Sequence, residues 1–169
     1  LQDVDESDVT PITDVDGTAN EVAENSANGT QVGITAYAFD ADGTTNAVTY
    51  SLDDNAGGRF AIDSTSGIVT VADSTLLDYE SATGHSVVVC ATSADGSFAT
   101  RTFTINLLDV DESDVSPISD TDANANELAE NSANGTQVGI TAYAFDADGT
   151  TNAVTYSLDD NVGGRFAVN

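Results

Sequence analysis

Residues 1–63 recur as residues 107–169, with 53 of 63 positions identical at an offset of 106. A repeat of that length is a domain rather than a solenoid turn, so each copy must close its own core and meet its neighbours in series. The recurrence sets the expected boundaries. Residues 1–9 read as a linker from a preceding repeat, 10–108 as a complete repeat, 109–115 as a second linker, and 116–169 as a second repeat lacking its last strands. The opening Leu1-Gln2-Asp3 reads as the middle of something longer, since no charged-then-apolar leader stands there.

One unit carries about seven short stretches of strand-like pattern separated by turn signals, as a β-sandwich requires. They fall at 20–24, 30–39, 47–52, 59–62, 67–72, 85–92 and 98–107. Val32, Ile34 and Ala36 alternate with Gly33, Thr35 and Tyr37, and Phe103, Ile105 and Leu107 alternate with Thr102, Thr104 and Asn106. A period of two sends one set into a core and the other outward. Asn28-Gly29, Asp42-Gly43, Gly57-Gly58 and Asp95-Gly96 supply the turns, and residues 74–79 have room for one helical turn. The predicted fold is all-β: a tandem, Ig-like Greek-key β-sandwich of about seven strands per repeat.

Charge narrows the function. The chain has 29 acidic residues, 3 arginines, no lysine, and a net charge of −26. Nucleic acid and anionic membranes are poor partners for such a surface, because both require clustered cations. No stretch reaches the ~20 apolar residues of a membrane span. Disorder is the usual outcome of lopsided charge, yet 40% of residues are hydrophobic and lie in ordered alternating runs. The single cysteine, Cys90, has nothing to pair with and reads as a small buried hydrophobe.

The acids gather at strand ends and in the linkers: Asp14 and Asp16, Glu21 and Glu24, Asp40 and Asp42, Asp53 and Asp54, Asp78 and Glu80, then Asp109, Asp111, Glu112 and Asp114. Loops of a sandwich cluster at its two ends. Carboxylates crowded there repel and raise one another's pKa values, and a hard divalent cation relieves that penalty. Two familiar calcium patterns do not fit. Asp40-Ala41-Asp42-Gly43 opens like an EF-hand loop, but its twelfth position is Ser51 and no helices flank it. The glycine-rich nonapeptide of calcium-binding β-helices is absent.

A third pattern does fit. In order, the chain carries Ala23-Glu24-Asn25, Phe39-Asp40-Ala41-Asp42, the run from Asn46 to Leu52 (NAVTYSL), Leu77-Asp78-Tyr79-Glu80, and Asp109-Val110-Asp111-Glu112-Ser113. Together these resemble the signature motifs of the cadherin repeat, especially the bacterial cadherin-like repeats of large repetitive (RTX-type) adhesins. The resemblance covers one whole unit and the partial second. It implies a cadherin/Ig-like sandwich with Ca2+ clustered at each junction between repeats. Implied ligands from the first unit and linker are Glu24, Asp78, Glu80, Asp109, Glu112 and the Val110 carbonyl. Asp111 and the Ser113 carbonyl face the second unit, which adds Asp146, Asp148 and the Asn152 carbonyl. The first linker, Asp3, Asp5 and Glu6, pairs likewise with Asp40, Asp42 and Asn46.

Two positions depart from that family pattern. The linker has Asp111-Glu112-Ser113 where the family usually has Asn-Asp-Asn, and the late-strand aspartate is Ser93, with Asp95 two residues on. Asp14 and Asp16, or Asp120 and Asp122, are further candidates for an ion near the linker.

No nucleophile–base–acid set can be assembled, since His85 is the only histidine and lysine is absent; His85 reads as a strand-edge residue. Arg59 and Arg165, each beside an aromatic, are expected to pair with a local acid. Asn28-Gly29-Thr30 and Asn134-Gly135-Thr136 match the glycosylation sequon and, in a bacterial protein, read as turns. The expected function is that of calcium-rigidified extender repeats in an extracellular, cell-surface adhesin, holding a terminal binding domain away from the cell. Their partners are the neighbouring repeats of the same chain. The alternative is a calcium-dependent binding module, homophilic or polysaccharide-binding. Tyr37, Tyr50, Phe60 and Phe103 fall in core-like positions, which leaves Tyr79 as the exposed aromatic for a glycan.

Overall fold

The computed structural model describes residues 8–42 and 46–169. Asp3, Asp5, Glu6 and Gly43 therefore lie outside the described residues. The chain divides into two compact units, Leu1–Val110 and Asp111–Asn169.

The first unit is a sandwich of two four-stranded sheets. Its strands are β1 (Thr13–Asp14), β2 (Glu21–Ala23), β3 (Gln31–Tyr37), β4 (Val48–Asp54), β5 (Phe60–Ile62), β6 (Ile68–Val71), β7 (Gly84–Ser93) and β8 (Phe98–Leu108). One sheet runs β1-β3-β6-β5 and the other β2-β8-β7-β4. Every pairing in them is antiparallel except that of β2 with β8, which is parallel. Seven of the eight strands answer the stretches expected from alternation; the two-residue β1 is too short to show a period. A single 3-10 turn, Ser74–Leu76, starts where Asp73 accepts the Thr75 N–H.

Inward residues of both sheets form one core. Val32, Ile34 and Ala36 of β3, with Phe60, Val69 and Val71, meet Val87, Val89 and Ala91 of β7 and Phe103, Ile105 and Leu107 of β8. Thr102, Thr104 and Asn106 face out, as the period of two requires. Cys90 is 8% exposed but stands apart from this core, its Sγ 3.6 Å from the Thr92 hydroxyl.

The alternation breaks at Gly33. Gln31 faces Thr70 and Thr35 faces Ile68, so β3 carries two more residues than β6 over the same span. Gly33 sits in this bulge at φ +75°, and a Cβ there would stand 2.0 Å from the Ala19 carbonyl oxygen. Gly139, its copy, has the same φ, with the Ala125 oxygen 2.4 Å from a notional Cβ. Gly33→Ala should therefore lower stability by about 2–4 kcal/mol, read as a reduced midpoint in urea unfolding.

The second unit holds one two-stranded ladder, β9 (Ser119–Asp120) against β10 (Ala142–Tyr143). It repeats the pairing of β1 with the end of β3. Residues 127–129, with Leu128 in place of Val22, and 154–160 correspond to β2 and β4 yet form no ladder among the described residues. In the first unit those strands pair with β8 and β7, and 111–169 contains no counterpart of either. Ile140, the copy of buried Ile34, is accordingly 57% exposed.

His85, on β7, has its ring centroid 6.4 Å from that of Phe60 and its Nε2 enclosed without a hydrogen-bond partner. Burial, and then the charge of Arg59, push its pKa below the usual histidine value. The unfolded chain thus takes up this proton at higher pH than the folded one. Stability should be full above about pH 6.5 and decline as the pH falls below it. Thermal unfolding between about pH 7.5 and 5.5 should show that decline, and His85→Gln, which does not titrate, should flatten it.

Candidate metal centre

The parallel pairing of β2 with β8 builds the first cluster. Ala23 stands opposite Leu108, so the next residues, Glu24 and Asp109, leave the sheet side by side. The Glu24 N–H donates to the Leu108 carbonyl at 3.1 Å, fixing that exit. Glu24 is only 3% exposed. Its Oε2 accepts the Tyr79 N–H at 2.6 Å and its Oε1 the Val110 N–H at 3.0 Å. Carboxylate oxygens of Glu24, Glu80 and Asp109 lie within 4.8 Å of one another.

Asp78, next to Tyr79, is turned to its own loop. Its oxygens accept the Ser81 N–H and hydroxyl, each at 2.9 Å. The Ser81 N–H, and then its hydroxyl, hold Asp78 below the usual carboxylate range.

A second cluster forms past the end of β3. Oxygens of Asp40, Asp42 and Asp95 lie within 4.8 Å of one another, with Asp40 and Asp42 buried. Asp40 Oδ1 accepts the Asp42 N–H at 3.0 Å, and its Oδ2 accepts the Ser93 hydroxyl. Ser93 therefore contacts Asp40 where the sequence pattern suggested an aspartate, and Asp95 brings the third carboxylate. Asn46 is exposed.

Tyr50 positions this segment, a role its sequence position did not announce. Its hydroxyl accepts the Ala38 N–H at 3.0 Å and donates to the Ala38 carbonyl at 3.2 Å, two residues before Asp40. Tyr156 does the same to Ala144, two residues before Asp146. The available signal was a tyrosine, rather than a phenylalanine, at the inward position of each NAVTYSL run.

In the second unit Asp148 is buried and accepts the Glu112 N–H at 3.4 Å. Its own N–H donates to Asp146 at 3.2 Å. Asp111 is pushed above the usual carboxylate range. The hydrogen bond it shares with Asp148 is the largest cause, followed by the repulsion of Asp148, burial, and the charges of Asp146 and Asp114. Asp148, as acceptor of that bond, is pushed below it. Crowding of this kind is what a divalent ion relieves. Ser113 is half-buried, while Val110 and Asn152 are exposed.

The other acidic pairs have local partners. Asp14 Oδ1 accepts the N–H groups of Asp16 and Thr35, and Asp120 Oδ1 those of Asp122 and Thr141. These carboxylates shape the β1 and β9 corners. The arginines differ from expectation, because their bonds go to backbone carbonyls instead of acids. Arg59 Nε donates to Leu76 and its Nη1 to Ala56, and Arg165 Nη1 donates to Val162. In the first of these turns Ala56, Gly57 and Gly58 all have positive φ, which leaves the Ala56 carbonyl for the guanidinium to satisfy.

The donor sets are all oxygen and mostly carboxylate, without imidazole or thiol. They fit a hard divalent cation such as Ca2+, which takes about six to eight oxygens in flexible geometry. Such an ion would supply the positive charge that several neighbouring carboxylates lack.

A two-sheet sandwich with carboxylates collected past its strand ends defines a class of acidic β-repeat domains. Residues 18–108 match the Cadherin domain family, more than half of the chain, and the protein belongs to the cadherin family. It is 34% identical to human "Protocadherin Fat 1" over 151 residues, 87% of this chain and 3% of that protein. It is 31% identical to zebrafish (Danio rerio) "Cadherin-related family member 1a" over 160 residues, 88% of this chain and 18% of that one. Mouse Cadherin-23 EC22-24 superimposes with a TM-score of 0.72 at 27% identity, covering 99% of this chain and 53% of that one. The chain thus spans only 3% and 18% of the lengths of these two curated relatives. Cadherin domains are non-enzymatic and bind Ca2+, and cadherin ectodomain repeats are extracellular. These relatives are animal cadherins, so what is established is the cadherin family and not the bacterial RTX-type branch.

Glu24→Ala removes the acceptor of two N–H groups as well as a carboxylate. It should cost about 1–3 kcal/mol even in chelator, and Glu24→Gln, which keeps one acceptor oxygen but sets its NH2 against the other N–H, should lose part of that stability together with calcium affinity. Calorimetric titration with calcium beside urea unfolding in chelator separates the two losses.

Proposed function

We propose that the chain is a piece of a calcium-rigidified spacer, a pair of cadherin repeats that extends the surface-exposed part of an adhesion protein and holds a distal binding domain away from the cell. The observation that carries this reading is Glu24: a buried carboxylate, tied at both oxygens and gathered with Glu80 and Asp109 directly beyond the parallel β2–β8 pair. In this reading Glu24, Asp78, Glu80, Asp109, Glu112 and the Val110 carbonyl hold Ca2+ on one side of the linker. Asp111, Asp146, Asp148 and the carbonyls of Ser113 and Asn152 hold it on the other. Asp40 and Asp42 serve the preceding linker in the same way, with Asn46 beside them.

The mechanism is electrostatic. With a net charge of −26 and no lysine, the chain has no internal cation to spare for these clusters. Without calcium the carboxylates repel and the joint loosens; shared ligands lock it when the ion is bound. The proposed partners are the neighbouring repeats of the same chain.

Thermal unfolding with calcium and then with chelator tests this reading. A ligand bound only by the folded state, at about 100 times its Kd, stabilises by about 2.7 kcal/mol per site. The melting temperature should therefore fall by several degrees on chelation, and far less in a Glu24→Gln/Asp109→Asn variant. An unchanged melting curve would reduce the clusters to surface decoration.

A further inference from the structure

The exposed aromatics do not include the expected one. Tyr79 packs against the core, whereas Tyr37 is 48% and Phe39 50% exposed. Their rings stand 6.4 Å apart at 35°, Tyr37 at the end of β3 and Phe39 two residues past it. Thr13 lies opposite Tyr37, and exposed Val15 extends the face. The second unit repeats the arrangement: Tyr143 and Phe145 are 51% and 55% exposed, again 6.4 Å apart at 35°. The two units have different degrees of closure, so this geometry is set by the local strand.

We propose that these aromatic pairs dock a protein partner that presents arginine side chains. Charge complementarity selects that partner. The chain has no lysine, and its three arginines all donate to carbonyls of their own chain, Arg101 to Ile12 among them. The surface thus has little cationic charge with which to meet an acidic partner. A guanidinium gains twice: the acidic field draws it in, and an aromatic face accepts it, the planar weakly hydrated cation stacking better than an ammonium. The fold already uses this contact once, where the Arg101 guanidinium carbon lies 4.8 Å from the Phe103 ring centroid. A neutral glycan would gain only from the rings. The proposal goes beyond spacing and does not depend on the calcium reading.

Calorimetry at one fixed calcium concentration tests it with the full chain. The probes are a hexa-arginine peptide, its neutral hexa-citrulline isostere, and cellohexaose. In the variant Tyr37→Leu/Phe39→Leu/Tyr143→Leu/Phe145→Leu, which keeps charge and apolar bulk, hexa-arginine should bind about tenfold more weakly. Hexa-citrulline should bind neither protein. Equal affinity of wild type and variant for hexa-arginine would overturn the proposal, because binding would then be charge alone. Cellohexaose binding, or self-association by sedimentation, that the variant abolishes would overturn it in favour of a glycan or a second copy. Should the variant unfold early, hexa-arginine titration of the wild type followed by ring NMR signals decides: shifts at these four rings support the proposal, and their absence overturns it.

Discussion

A strand in this protein persists where a partner strand satisfies its backbone, and the parallel contact of β2 with β8 is the pairing on which the proposed site depends. β2 is three residues long and has little apolar surface of its own. Beside β8 it acquires a register, and that register delivers Glu24 next to Asp109. The carboxylate of Glu24 then reaches the Tyr79 loop and the Val110 backbone. One side chain therefore couples a strand end, a loop and the start of the linker. The second unit shows the same rule from the other side. Its copies of β2 and β4 carry nearly the same residues, yet form no ladder where β8 and β7 have no counterpart. Local β propensity cannot replace the missing hydrogen bonds.

Charge shapes the rest. Carboxylates that stand alone are absorbed by turns, as Asp14, Asp63 and Asp120 are by neighbouring N–H groups. Carboxylates that converge also repel one another. Asp111 and Asp148 answer by sharing a hydrogen bond, with opposite effects on their acidity. A divalent cation is the other answer, and the all-oxygen clusters of the first unit fit one.

Much of this was legible beforehand. Seven strands, the outward set on β8, and the crowding of acids past strand ends followed from a period of two and from where the acids lie. Several particulars did not. Tyr37 faces solvent as the alternation along β3 requires, against its reading as a core-like position, whereas Tyr79 is covered because its loop folds against the core, which alternation does not show. The arginine partners were misjudged because positive φ at Ala56, Gly57 and Gly58 leaves a carbonyl near the guanidinium. Tyr50 looked like a core residue, and its hydroxyl finds Ala38 only once the two sheets face each other.

The sequence by itself determined the repeat, the all-β sandwich, the cadherin motifs and the oxygen chemistry of the clusters, because these rest on periodicity and residue type. Tertiary structure decided which carboxylates meet. Glu24, Glu80 and Asp109 are far apart in the chain and converge because one strand pairs in parallel and one loop folds back. It also decided that Asp78 turns to Ser81, and that two rings stand open at and just past the end of β3. Contacts between residues distant in sequence are set by register and packing, which no local pattern records.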